Sequence, residues 1–232
     1  MSDLQQPTVA IVDYGMGNLF SVKHACEAVG LPAVITSSKR EILAAEAVIL
    51  PGVGAFGDAM DALRRLDLVT VLQDIAVSEK LFVGICLGMQ LLMSESREFG
   101  VHKGLGIIEG AVLPFDSPLR ENRKLKVPQV TWNRIYKVKT EGLHHGSWVH
   151  TPLEGLPDGE FMYFVHSYYA VPLDDSVLLS TTRYGHIEFA SSLRYRNIFA
   201  CQFHPERSGP QGLQIYRNLV SFIQDRSVPK EE

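Results

Sequence analysis

Short apolar runs alternate with stretches of helical spacing through the first half of the chain. Thr8–Val12 is apolar and ends in a loop signal, Asp13-Tyr14-Gly15-Met16-Gly17-Asn18. A helical pattern follows from about Leu19 to Val29, and Ala33–Thr36 returns as a strand. Glu46–Leu50 is a third strand, closed by Pro51-Gly52-Val53-Gly54. Phe56–Leu66 and Leu68–Val77 read as helices, Leu81–Ile85 as a fourth strand, and a helix runs from Cys86 to about Ser94. Continuously apolar strands separated by helices of about ten residues predict a mostly parallel sheet covered on both faces. Ligands of such sheets sit at the carboxyl ends of the strands. Pro51–Gly54 and Cys86 both fall there.

After about Gly100 the pattern changes. Glycine and proline become frequent, and strands are expected at Leu105–Ile108, Ala111–Leu113, Phe161–Val165, Ser176–Thr181, Ile187–Ser192 and Ile198–Gln202. These predict hairpins in an antiparallel region packed on the sheet. Thr140–Gly159 is polar, irregular and rich in His, Gly and Pro, which predicts a surface loop. A last helix is expected over about Pro210–Gln224, with proline suited to its first turn. No repeat or dividing linker interrupts the chain, so residues 1–232 are expected to form one α/β domain: a mostly parallel central sheet flanked by helices, with an antiparallel region in the C-terminal half.

Composition narrows the function classes. A length of 232 residues suffices for one substantial core, and 46% hydrophobic with 21% charged residues is ordinary for a globular enzyme. A net charge of -4 argues against nucleic acid as a partner. The densest basic stretch, Arg120 to Lys126, is interrupted by Glu121 and reads as a solvated loop. Three scattered cysteines suit neither a disulfide framework nor a CxxC zinc site, and fit a reducing cytoplasm. No run reaches the roughly 18 apolar residues of a membrane span, so no membrane association is expected. His144, His145 and His150 lie in the irregular loop, and no metal or other cofactor is expected.

The chemistry concentrates in two segments. In Gly84-Ile85-Cys86-Leu87-Gly88 a cysteine sits between glycines at the end of an apolar strand. Glycines there allow close backbone approach and a sharp strand-to-helix turn that exposes a nucleophile. Free N–H groups at the helix start favour thiolate over thiol. Taken alone, the segment is also compatible with a buried structural cysteine. The second segment, Phe203-His204-Pro205-Glu206, follows another strand and supplies a base with a carboxylate two residues on to orient it. Backbone amides of Val53, Gly54 and Leu87 are the expected oxyanion donors.

Gly84–Gln90, Pro51–Gly54 and Gln202–Glu206, together with Ile11–Leu19, Lys103–Gly106 and Tyr163–Tyr168, resemble the class I (triad) glutamine amidotransferases over about Thr8 to Phe222. The resemblance is strongest to the branch whose glutaminase subunits serve histidine biosynthesis. It implies a Cys86, His204 and Glu206 triad that hydrolyses L-glutamine through a thioester, with Gly52, Gln90, Glu98, Ser167 and Tyr168 holding the substrate. It also implies a (β/α)8-barrel cyclase partner that receives the ammonia, docked near Asp13, Tyr14, Asn18, Trp132, Asn133, Tyr163 and Arg207. The chain departs from the family pattern at Arg207-Ser208, where lysine is usual, and at Pro128-Gln129-Val130-Thr131-Trp132-Asn133, where Pro-His-Met-Gly-Trp-Asn is usual. Both fall on the expected partner face, leaving open a paralogue that supplies ammonia for surface-polysaccharide amino-sugar synthesis. A stand-alone cysteine hydrolase would share the elbow but has no need of the other motifs.

Overall fold

A computed structural model describes residues 9–138 and 147–227. The first half gives β1 (Val9–Val12), α1 (Leu19–Ala28), β2 (Ala33–Thr36), α2 (Lys39–Ala44), β3 (Ala47–Gly52), α3 (Phe56–Arg65), α4 (Val69–Val77), β4 (Leu81–Cys86) and α5 (Leu87–Leu91). Then follow β5 (Met93–Ser96), β6 (His102–Lys103), β7 (Ile108–Pro114), β8 (Leu119–Arg120), β9 (Arg123–Lys124), β10 (Gln129–Lys137), β11 (Glu160–His166) and β12 (Tyr168–Pro172). The chain closes with β13 (Leu178–Tyr184), β14 (Ile187–Tyr195), β15 (Ile198–Cys201) and α6 (Gly209–Ser227).

Nine strands form one sheet in the order β11-β10-β13-β14-β15-β4-β3-β1-β2. The pairs from β15 to β2 are parallel, and those from β11 to β15 antiparallel. Alternate residues of the buried strands face opposite cores, as a period of two requires. Ala10, Val12, Val48, Leu50 and Phe82 pack with α2 to α5, whereas Val9, Ile11, Ile49, Val83 and Phe199 pack with α1 and α6. A second sheet, β12-β7-β5-β6, lies on the first of these cores through Met93, Ile108, Val112 and Ala170.

Several expectations are corrected. The antiparallel strands do not all pack on the central sheet: β10, β11, β13 and β14 extend it edge to edge. The helix after Cys86 stops at Leu91 instead of running to about Ser94, and β5 begins at Met93. The carbonyls that would continue it are taken by the segment expected as the strand Leu105–Ile108: Leu105 N–H donates to Leu91 O (2.9 Å), Ile107 N–H to Leu92 O (3.0 Å) and Gly104 N–H to Ser94 O (2.9 Å). No hairpin separates Leu105–Ile108 from Ala111–Leu113, because β7 runs straight through Gly110. That glycine lets β12 come close, since a Cβ there would lie 2.5 Å from Val171 O. Nor is Thr140–Gly159 simply a surface loop. Its start lies outside the described residues, but Trp148 is buried and donates its Nε1–H to Leu179 O (2.9 Å), with Leu153 and Leu156 in the same core. The helix α2 and the strands β10 and β12 went unpredicted.

One contact ties β3, β4 and α5 together. A Cβ on Gly88 would sit 1.8 Å from Leu50 O, and one on Gly84 would meet the Gly88 carbonyl at 3.1 Å. Gly88→Ala is therefore expected to destabilise the chain by about 3 kcal/mol or more, read as a lower thermal unfolding midpoint by circular dichroism. An unchanged midpoint would overturn this account of the elbow.

Candidate active site

The parallel register brings three strand ends side by side: Gly52 of β3 opposite Cys86 of β4, and Cys201 of β15 opposite Ile85. Cys86 adopts φ 54° and ψ -110° as the residue preceding α5. A left-handed conformation at a residue with a side chain costs on the order of 1–3 kcal/mol and persists only where packing enforces it. Here the close approach of Gly88 to Leu50 enforces it. The resulting turn projects the thiol, which is 5% exposed, toward the loop after β15.

That loop carries His204, 4% exposed, whose Nδ1–H donates to Glu206 Oε1 at 2.8 Å. With Nδ1 engaged, Nε2 is the remaining ring nitrogen, buried and without a hydrogen-bond partner among the described residues. Burial by itself would drive the imidazole toward its neutral form. The anionic Cys86 sulfur, and then the Glu206 carboxylate, outweigh burial and raise its pKa from 6.5 to about 10. The loop is braced from β11: His204 N–H donates to Tyr163 O (2.9 Å), Ser208 Oγ–H to His204 O (2.7 Å), and Tyr163 N–H to Ser208 Oγ (3.0 Å).

A cavity of about 260 Å³ opens beside the thiol, below the roughly 300–1,000 Å³ of drug-sized sites. Val53, Gly54 and Leu87 line it with Cys86, as do Gln90, Glu98, Ser167 and Tyr168. Gly52, also expected at the substrate, is instead buried beneath this turn, where a Cβ would lie 2.2 Å from the Tyr14 hydroxyl. His204 and Glu206 are not among the walls. Gln90 Nε2 donates to Tyr168 O (2.8 Å) and to Gln202 Oε1 (2.9 Å), and Gln202 Nε2 lies 3.6 Å from Cys86 Sγ. The Glu98 carboxylate accepts a short hydrogen bond from Phe56 N–H at the start of α3.

Residues that sequence reasoning left unassigned also build the site. Gln202 is fully buried, two places before His204, and in extended chain that spacing returns to the same face. That period is the signal by which it could have been found. His166 is neutral, its pKa lowered to about 4 by burial, and its Nδ1–H donates to Tyr168 O (2.8 Å). Ser208 has no sequence signal, because its role arises only where β11 meets the loop.

Tyr14 was expected on the partner face, but it is 3% exposed and its hydroxyl donates to Pro51 O at 2.8 Å. Burial, reinforced by the Cys86 charge, holds its pKa above the usual phenol range. It anchors the Pro51–Gly54 turn from below and offers no docking surface. The other expected face residues behave differently. Asn18 precedes α1, exposed and without a side-chain capping bond, and Asp13 accepts from Gly15 N–H (2.9 Å). Trp132, 49% exposed, packs edge-on to Tyr163 with centroids 6.0 Å apart, and the Arg207 guanidinium lies 4.9 Å from the Tyr163 ring. Asn133 donates to Arg183 O (2.9 Å).

Among the described residues no group of three His, Cys, Asp or Glu side chains is placed to hold a metal, and no helix is long and apolar enough to cross a membrane. His144 and His145 lie outside the described residues, and His150 is exposed.

A family model described as "Glutamine amidotransferase class-I" matches residues 10–222. The chain belongs to the class-I glutamine amidotransferases. A curated relative from Aquifex aeolicus (strain VF5), the imidazole glycerol phosphate synthase subunit HisH, is 46% identical over 90% of this chain and 94% of its own length. The protein of the same name from Bacillus velezensis (strain DSM 23117 / BGSC 10A6 / LMG 26770 / FZB42) is 41% identical over 96% of this amidotransferase and 100% of the relative. Two solved structures share the fold: PurLQS from Thermotoga maritima (TM-score 0.69, 21% identity, 94% of this chain and 100% of that one) and the Trypanosoma brucei CTPS glutaminase domain (TM-score 0.61, 15% identity, 94% and 93%).

In this amidotransferase Cys86 is a main support of the His204 charge. Cys86→Ala should lower the imidazole titration midpoint from about 10, followed by NMR of labelled histidine. A midpoint unmoved by the substitution would refute this coupling. Because the folded value is raised, the stability His204 contributes is complete below about pH 6.5 and is lost as pH climbs through about 10.

Proposed function

We propose that this chain is the glutaminase subunit of imidazole glycerol phosphate synthase, releasing ammonia from L-glutamine for histidine biosynthesis. Identity of 41–46% spanning nearly the full length of chains bearing that name is the observation that carries the reading. The pairing of the Cys86 elbow with His204 and Glu206 supports it chemically.

The Cys86 thiolate attacks the side-chain amide carbon of glutamine, and the carbonyl electrons move onto oxygen. Backbone N–H groups of Val53, Gly54 and Leu87 stabilise that oxyanion, each donor worth about 3–4 kcal/mol in reactions of this kind. Imidazolium Nε2–H then protonates the leaving nitrogen, the C–N bond breaks and ammonia departs. Neutral His204 next takes a proton from water, whose hydroxide opens the thioester and releases glutamate. Glu206 keeps the ring oriented and stabilises its charge throughout. Gln90, Glu98, Ser167 and Tyr168 hold the substrate, with the Glu98 carboxylate facing its α-ammonium. Gly52 keeps the turn thin enough for Tyr14 to sit beneath it.

The partner is a cyclase subunit that consumes the ammonia, and we assign it the (β/α)8-barrel form. It docks over Trp132, Tyr163 and Arg207, with Asp13, Asn18 and Asn133 nearby. Tyr163 O accepts directly from His204 N–H, so a partner pressed on Tyr163 sits against the residue that releases ammonia. The Arg207 guanidinium stacks on Tyr163 as a planar cation, a geometry lysine does not reproduce. The whole chain acts as one glutaminase domain. Its three free cysteines suit a reducing cytoplasm.

Glutamate release by the purified chain, alone and with a histidine-pathway cyclase carrying its ribulosyl ligand, tests the reading. Strong stimulation by the loaded cyclase and complete loss in Cys86→Ala are expected. Hydrolysis indifferent to that cyclase would reassign the chain to the polysaccharide branch. Separately, Trp132→Ala should weaken the subunit pair by tenfold or more in calorimetric titration, and an unaltered Kd would move the docking face elsewhere.

A further inference from the structure

A buried chain of hydrogen bonds runs from a backbone carbonyl to the nucleophile, and its polarity is dictated at every link. Tyr168 O can only accept. It takes His166 Nδ1–H (2.8 Å) and one N–H of Gln90 Nε2 (2.8 Å). The Gln90 amide must therefore turn its NH₂ toward Tyr168, and its second N–H reaches Gln202 Oε1 (2.9 Å). Gln202, fully buried, must in turn present its own NH₂ at the far end, 3.6 Å from Cys86 Sγ. Flipping either amide would set NH₂ against NH₂, or leave Tyr168 O without the Gln90 donor. The Tyr168 carbonyl thus decides that Gln202 meets the sulfur with a donor; on its other side the thiol faces the Val165 carbonyl, 3.8 Å away.

We infer that Gln202 is a positioning residue for the nucleophile, whose Nε2–H is held by Gln90 to stabilise charge on the Cys86 sulfur. This rests on the reading of Cys86 as nucleophile. A donor to sulfur favours the charged form in the resting enzyme and stabilises the same sulfur when the thioester breaks. Other groups coupled to the sulfur are Cys201 of β15, His204, with Glu206 behind it, after β15, and Tyr14 after β1. Glu98 and His166 line the same cavity from the loop after β5 and from β11. All of these remain in place in the variants below, so a change in the sulfur's behaviour reports on Gln202.

The readout is the alkylation rate of Cys86 by iodoacetamide as a function of pH, followed on its peptide by mass spectrometry. Gln202→Glu keeps an acceptor for Gln90 but turns an acceptor oxygen toward the sulfur. Its half-maximal pH should rise by a unit or more, with kcat for glutamine falling at least a hundredfold and KM changing less than threefold. Gln202→Met, which removes the donor without adding charge, should shift the midpoint upward by less. A midpoint equal to wild type in both variants, or a raised KM with kcat kept, would overturn the inference and leave Gln202 as a support for Gln90. Should neither variant fold, the side-chain amide resonance of Gln202 in the unaltered protein provides the same test: it should move with the alkylation midpoint, and an amide that does not respond overturns the inference. Alkylation of Cys86 that left glutaminase activity intact would instead sink the nucleophile reading, whatever the midpoints.

Discussion

The site depends on one close approach of backbone to backbone. Gly88 of α5 lies so near Leu50 O of β3 that no side chain fits between them. That contact sets where α5 starts, and so holds Cys86 at φ 54° against its conformational preference. Because β3 and β4 are also in parallel register, the same contact places the Pro51–Gly54 turn beside the thiol. Candidate nucleophile and candidate oxyanion donors are therefore positioned by one packing event rather than two.

Electrostatics then acts on groups that packing has already buried. His204 sits between a sulfur and a carboxylate with little water to screen either, and the two negative groups outweigh its burial. Positive charge is thus held on a buried imidazole. The His204 backbone is pinned at two points, to Tyr163 and to Ser208, which are bonded to each other, and Tyr163 also carries the exposed Trp132 and Arg207 contacts. A surface stack and the candidate base therefore share one rigid support. This gives a physical route by which a docked partner could act on the base, since neither can shift without straining these bonds.

Much of this was legible along the chain because its signals are local. Strand ends were readable as apolar runs stopped by Pro51-Gly52 or by Gly-x-Cys-x-Gly, since a period of two and glycine's missing Cβ act over a few residues. His204 and Glu206 are two residues apart, so their pairing needed no long-range information. The boundaries that failed were those set by distant partners: α5 ends early because residues 104–107 take its carbonyls. Trp148 is buried because Leu179 offers it a carbonyl some thirty residues away in sequence.

The sequence by itself determined the layered α/β architecture, the candidate nucleophile, its candidate base and the carboxylate behind it, because each is written in short-range spacing and backbone sterics. Only the tertiary structure decided that Tyr14 is an anchor and not a surface residue, that Gln202 meets the sulfur, and that Ser208 braces the base. Those roles come from strand register and from hydrogen bonds between residues 37 to more than 100 positions apart, such as Tyr14 to Pro51 and Gln202 to Cys86. Local periodicity carries no information about which distant donor will find which acceptor.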